Sequence, residues 1–162
     1  MFNIFGFYKF LKIPYLKKNK KIINELLTKK NIRGTVIISK EGINGTISGK
    51  GPDIKDTINK LKKILKFKNF NSTNNSKSAF QPFHKPKVKI KSEVVPMNLK
   101  LHKMIQKKNS HVEPQKWNSL IKDKKTIVID VRKPFEHDVG RFKGSVNPSV
   151  DNFRDFPKYL KK

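Results

Sequence analysis

Arg33-Gly34-Thr35-Val36-Ile37-Ile38-Ser39-Lys40-Glu41-Gly42-Ile43-Asn44-Gly45-Thr46-Ile47-Ser48-Gly49 is the stretch that decides the fold. Arg33 to Lys40 is a β-branched run and reads as a strand. Asn44-Gly45 is a two-residue turn signal, because both central positions of a type I′ turn need φ > 0. Gly42 can equally take a positive φ and give a wider, bulged connection. On either reading a second strand follows, over residues 45–49.

Upstream, Leu16 to Lys30 places Ile22, Ile23, Leu26 and Leu27 at helical spacing, with lysines on the other face. Before it, residues 2–10 carry Phe2, Ile4, Phe5, Phe7, Tyr8 and Phe10, which fits a buried strand. This start lacks a basic stretch before it and a small-residue cleavage site after it, so it reads as a strand and not a signal peptide. Downstream, Gly51-Pro52-Asp53 opens a helix: Pro in the first turn costs no hydrogen bond, and an acid there suits the dipole. Ile54, Ile58, Leu61, Ile64 and Leu65 form its apolar stripe. Phe70 to Gln81 is polar and reads as a loop, and Lys87 to Val95 alternates with period two and reads as the last strand. The order is β-α-β-β-α-β, a two-layer ferredoxin-like α+β domain over residues 1–95.

Residues 96–112 lack periodicity and read as a linker. Glu113 to Ile121 is a short helix with Trp117, Leu120 and Ile121 on one face. Lys125 to Val131 is a continuous apolar run ending near an acid, as in a buried parallel strand. Arg132 to His137 leaves it through a turn or helix, Phe142 to Pro148 is a short strand, and a helical segment starts at Asn152. This is the beginning of a doubly wound α/β sheet over 113–162, too few strands to bury both faces, so the second domain reads as incomplete.

The net charge of +26 and pI near 10.3 point to a polyanionic partner, nucleic acid being the commonest. Only Arg33, Arg132, Arg141 and Arg154 are arginines, and abundant Lys, Ile and Asn also fit an AT-rich coding sequence. Zero cysteines exclude disulfides, cysteine-ligated zinc and thiol chemistry within these residues. His84, His102, His111 and His137 are scattered without ligand spacing, so no metal site is expected. No apolar run approaches the length of a membrane span, and a cytoplasmic location is expected.

Asp130-Val131-Arg132-Lys133-Pro134-Phe135-Glu136 followed by Gly140-Arg141-Phe142-Lys143-Gly144-Ser145-Val146-Asn147 resembles the D-x-R-x-x-x-E and G-x-I-x-G-A-x-N pattern of rhodanese domains. Together with Gly6-Phe7-Tyr8-Lys9-Phe10, the stretch from Arg33 to Gly49, Lys87 to Lys91, Glu93-Val94-Val95 and Phe153-Arg154-Asp155-Phe156-Pro157, the chain resembles the rhodanese-like tRNA uridine hydroxylases. The resemblance covers essentially the whole sequence. It implies oxygen-dependent hydroxylation of the wobble uridine to 5-hydroxyuridine, tRNA as partner, molecular oxygen as co-substrate and no other cofactor identifiable in the chain. It also implies an RNA-facing ferredoxin-like domain and a rhodanese part carrying a C-x-x-G-x-R-C loop. No residue here matches that cysteine, which is expected beyond Lys162, and the chain is expected to be an inactive N-terminal fragment. Val131, Lys133 and Phe135 depart from the family's usual residues in a conservative way. The alternatives are a stand-alone module gripping tRNA or another polyanion, and a rhodanese-type sulfurtransferase lineage.

Two groups of residues are candidates for function. Asp130 and Arg132 sit at the C-terminal edge of the expected parallel strand, where α/β sheets place ligands. They border a pocket, or Arg132 pairs with Glu136 or another acid and locks the turn; the ion pair is the favoured reading. Lys40, Glu41, Gly42, Asn44 and Gly45 form either an RNA-facing loop or a turn that needs its glycines and Asn for geometry. Among the strand aromatics, one of the sets Phe5/Phe7 or Tyr8/Phe10 can lie on the open sheet face and stack bases, although strand aromatics are more often core.

Overall fold

The computed structural model describes residues 1–94 and 112–161, and the chain divides after Val94 into two compact units. The expected linker over 96–112 lies, apart from Val112, outside the described residues.

In the first unit the elements run β1 (Phe2–Phe10), α1 (Leu16–Lys29), β2 (Arg33–Ser39), β3 (Gly42–Gly49), α2 (Gly51–Ile64), β4 (Ser72–Ser78) and β5 (Pro86–Ile90). The sheet order is β4-β1-β3-β2-β5, antiparallel except for the β2–β5 pair. The ferredoxin-like arrangement is therefore present, with a fifth strand added outside β2. Both helices cover one face, α1 over β2 and β5, α2 over β1 and β3.

The register explains which residues form the core. Phe5, Phe7, Val36, Ile38, Ile43, Ile47 and Val88 alternate along their strands and are buried under Ile23, Leu27, Ile54 and Leu61 of the helices. Each such apolar side chain taken from water contributes roughly 1.5–3 kcal/mol. Phe70 closes the β1 side, its ring 4.9 Å from both Phe7 and Phe67.

Both long helices end in the same way. Asn31, at φ 48°, follows α1, with its N–H donating to Thr28 and the Ile32 N–H donating to Leu27. Lys66, at φ 56°, follows α2, with its N–H donating to Lys63 and the Phe67 N–H donating to Lys62. This is the Schellman pattern, in which the left-handed residue favours Gly or Asn.

The structure corrects three expectations in this unit. The β2–β3 turn is at Lys40-Glu41, with Ser39 opposite Gly42, while Asn44 and Gly45 lie inside β3. A turn at Asn44-Gly45 would set Ile43 against Thr46; the observed register pairs Ile38 with Ile43 and keeps both on the buried face. Residues 72–78, read as loop, form edge strand β4 against β1. Its residues are exposed on both faces except Ser78, so the sequence STNNSKS shows no apolar alternation. The strand over 87–95 is shorter, ending at Ile90, and runs parallel to β2 instead of closing the sheet beside β1.

In the second unit, α3 (Pro114–Leu120), α4 (Pro134–Val139) and α5 (Phe156–Tyr159, preceded by a 3-10 turn over Phe153–Asp155) are short. The expected strands over 125–131 and 142–148 reduce to one parallel bridge between Ile129 and Val146. Val146 donates to the Val128 carbonyl at 2.8 Å and accepts from Asp130 at 2.9 Å. Ile127 is 76% exposed, so the apolar run has little to bury against among the described residues. Among the described residues no helix is long and apolar enough to cross a membrane.

Candidate nucleic-acid interface

The face of the first unit's sheet turned away from the helices carries the residues that alternate with the core. Along one cross-strand row stand Tyr8, Asn44, Ile37 and Lys89. The next row holds Gly6, Thr46, Thr35 and Lys87, and the third Ile4, Ser48 and Arg33. Thr46, Lys87 and Lys89 are exposed; Tyr8, Asn44 and Arg33 are half-buried. The Tyr8 and Phe10 rings meet edge to face at 5.8 Å, while Phe5 and Phe7 lie in the core, so Tyr8/Phe10 is the open-face set.

Charge is distributed unevenly over this unit. None of the five strands contains Asp or Glu. The unit's acids are Glu25 on α1, Asp53 and Asp56 on α2, and Glu41 and Glu93 in connections. Asp56 is matched by Lys30 and Lys60, each at 2.9 Å, and these hydrogen bonds hold its carboxyl below the usual range. The open face itself presents Arg33, Lys87 and Lys89.

The candidate loop residues separate on the structure. Lys40 is exposed at the turn. Glu41 is anchored: its N–H donates to Ser39 Oγ at 3.1 Å, and its carboxylate accepts the Val94 N–H at 2.8 Å. Gly42 is buried against β1, where a Cβ would stand 2.2 Å from the Lys9 carbonyl oxygen. Gly45 faces the helices, where a Cβ would meet Phe7 and the Thr35 carbonyl at 2.9 Å. Only Asn44 stands on the open face beside Tyr8. At the far end of that face Ser48 Oγ donates to the Pro82 carbonyl at 2.7 Å, which fixes the β4–β5 connection.

In the second unit Asp130 and Arg132 form a two-pronged ion pair, Arg132 Nη2 to Asp130 Oδ2 at 2.6 Å and Nε to Oδ1 at 3.0 Å. Arg132 Nη2 also donates to the Gly140 carbonyl at 2.6 Å. The guanidinium bonded to it holds the Asp130 carboxyl down at about 2. Glu136 accepts instead from the Lys133 N–H, so the partner of Arg132 is Asp130. Both residues line a hollow with Trp117, Val128 and Phe142. Among the described residues no three His, Cys, Asp or Glu side chains group as metal ligands.

Two features of these sites lie outside the candidate residues named from the sequence. Lys87 and Lys89 belong to the open face, and the alternation of Lys-Val-Lys-Ile already contained that signal. Asn147 holds the 130–132 segment, its Nδ2 donating to the carbonyls of Asp130 and Arg132, each at 2.9 Å. A side chain bonding backbone fifteen or more residues away leaves no local pattern to read.

Residues 2–94 match the family model described as UPF0176 acylphosphatase like domain. The chain belongs to that family. A protein of Pelagibacter ubique named tRNA uridine(34) hydroxylase is 65% identical over 162 residues, which is 100% of this chain and 54% of the relative. A protein of Bartonella quintana with the same name is 32% identical over 99% of this chain and 53% of its own length. The resemblance carried by the sequence motifs is borne out by these relatives. The chain spans about half the length of the curated relatives it matches. Among solved structures, the acylphosphatase from Bacillus subtilis is similar over 54% of this chain and 98% of its own, with 12% identity and a TM-score of 0.42.

Proposed function

We propose that this family member is part of an enzyme that hydroxylates uridine 34 of tRNA to 5-hydroxyuridine, with molecular oxygen as co-substrate. The observation that carries this reading is the 65% identity, along the whole chain, to a protein named for that activity. The basic, acid-free sheet supports a tRNA-facing role for residues 1–94, with Lys40 adding charge at the hairpin end. Cytoplasmic location goes with a tRNA substrate.

Residues 113–162 are the N-terminal part of a rhodanese-like domain in this reading. The Asp130–Arg132–Gly140 contacts and the Asn147 clamp shape the loop after the short bridge. Two guanidinium nitrogens of Arg132 are spent on Asp130 and Gly140, so its role is to position this loop. The 162 residues contain no thiol, and the reacting cysteine belongs to sequence outside them.

The test is reaction of the full-length gene product with unmodified tRNA under isotopically heavy molecular oxygen. The expected result is heavy oxygen in 5-hydroxyuridine at the wobble position. Absence of that nucleoside, or oxygen taken from water, would contradict the proposal.

A further inference from the structure

We infer that the open face of the sheet is a platform for a short single-stranded stretch of RNA that crosses the strands from Tyr8 toward Lys89; the inference rests on the tRNA reading and adds where the RNA lies.

Four observations converge on it. The Tyr8 ring stands on the open face of a central strand, braced edge-on by Phe10 at 5.8 Å. Asn44, directly opposite Tyr8, carries both a donor and an acceptor next to the ring, where the edge of a stacked base would lie. Thr46, in the next row, is the exposed centre of the face. Lys89, Lys87 and Arg33 stand on the far strands, β1 to β5 being three strand steps or about 14 Å.

Charge selects the occupant. With no Asp or Glu in any strand, the face repels cations and acidic repulsion is absent along its length, while three basic groups on β2 and β5 offer phosphate contacts. Ring geometry selects the strandedness. A ring on a sheet stacks on an unpaired base, whereas bases in an A-form duplex are stacked on one another and leave only backbone and groove to touch.

The experiment measures binding of fluorescent hexauridylate, and of a short RNA duplex, to the 162-residue chain. Tyr8→Ala should weaken hexauridylate binding at least about fivefold, the low end of the effect of losing one stacked base, and Tyr8→Phe should restore it. Lys87→Gln with Lys89→Gln should flatten the slope of log affinity against log salt by about 1.4, as expected for two phosphate contacts on a single strand. Lys17→Gln with Lys21→Gln removes the same charge from exposed positions of α1, and should leave the slope unchanged.

Equal affinity for the duplex, an equal slope change from the α1 pair, or unchanged binding by Tyr8→Ala would overturn the platform. Unchanged binding with a lowered unfolding midpoint would leave Tyr8 a role in stability alone, and overturns it too. Should hydroxylation fail while these variants still lose RNA, the functional reading falls and the platform stands. Should hydroxylation hold while they bind normally, only the platform falls.

Discussion

The Glu41 carboxylate accepts the backbone N–H of Val94 at 2.8 Å, tying the β2–β3 turn to the last residue of the first unit. The same turn receives the chain leaving β1: Leu11 N–H donates to the Glu41 carbonyl at 3.0 Å and Ile13 N–H to the Lys40 carbonyl at 3.2 Å. Three stretches far apart in sequence therefore meet at two residues. The Val94 side chain is buried at 3% exposure, so its N–H has little access to water as a replacement acceptor.

Glu41→Ala should therefore cost about 2 kcal/mol in unfolding free energy, the range for a hydrogen bond to a charged group. Glu41→Gln keeps an acceptor oxygen and should cost less. Urea unfolding gives the ranking, and hydrogen exchange at the Val94 amide should accelerate in the alanine variant.

Lys66 holds a left-handed conformation, φ 56°, that glycine adopts without a Cβ penalty. Lys66→Gly should raise stability by about 1 kcal/mol. Asn31→Gly, at φ 48°, should change it much less, because Asn already tolerates this region. A rise in melting temperature for the first and not the second is the expected pattern.

At Gly34, φ is +124° and a Cβ would stand 2.2 Å from the Thr46 carbonyl oxygen. Gly34→Ala forces β2 away from β3 and should cost at least about 2 kcal/mol, combining backbone strain with overpacking. Gly6→Ala meets nothing closer than 3.7 Å and should cost well under that. Thermal unfolding of the two variants separates a steric demand from a general intolerance of β-sheet substitutions.

The Asp130–Arg132 pair sets a pH dependence of definite sign. Arg132 lowers the folded-state pKa of Asp130 to about 2, below its ordinary value. The contribution of the pair is thus fully present above about pH 4 and lost as pH falls through about 2. The Asp130 carboxylate resonance should titrate near the lower value, and Arg132→Gln should move it up toward the ordinary range. An unshifted midpoint in the parent chain would remove Arg132 as the cause.

How much of this was legible depended on burial. The elements with one buried face announce themselves: Ile23, Leu27, Ile54 and Leu61 mark α1 and α2, and the β-branched run marks β2. β4 could not be read in this way, because an edge strand exposed on both sides needs only its backbone to pair with β1. Asn44-Gly45 carries the strongest local turn signal in the unit, yet pairing Ile38 with Ile43 on the core side outweighs it. The site divides along the same line. Tyr8 and Asn44 stand out by residue type, whereas Lys87 and Lys89 carry only the period-two alternation of their strand, and the register with β2 is what places them on the same face as Tyr8.

The most direct test of the central claim is the nucleoside composition of tRNA from cells in which the gene is disrupted. Mass spectrometry should find 5-hydroxyuridine and its derivatives at the wobble position lost, and restored by the full-length gene. Wobble 5-hydroxyuridine at parental levels in the disrupted strain would contradict the account.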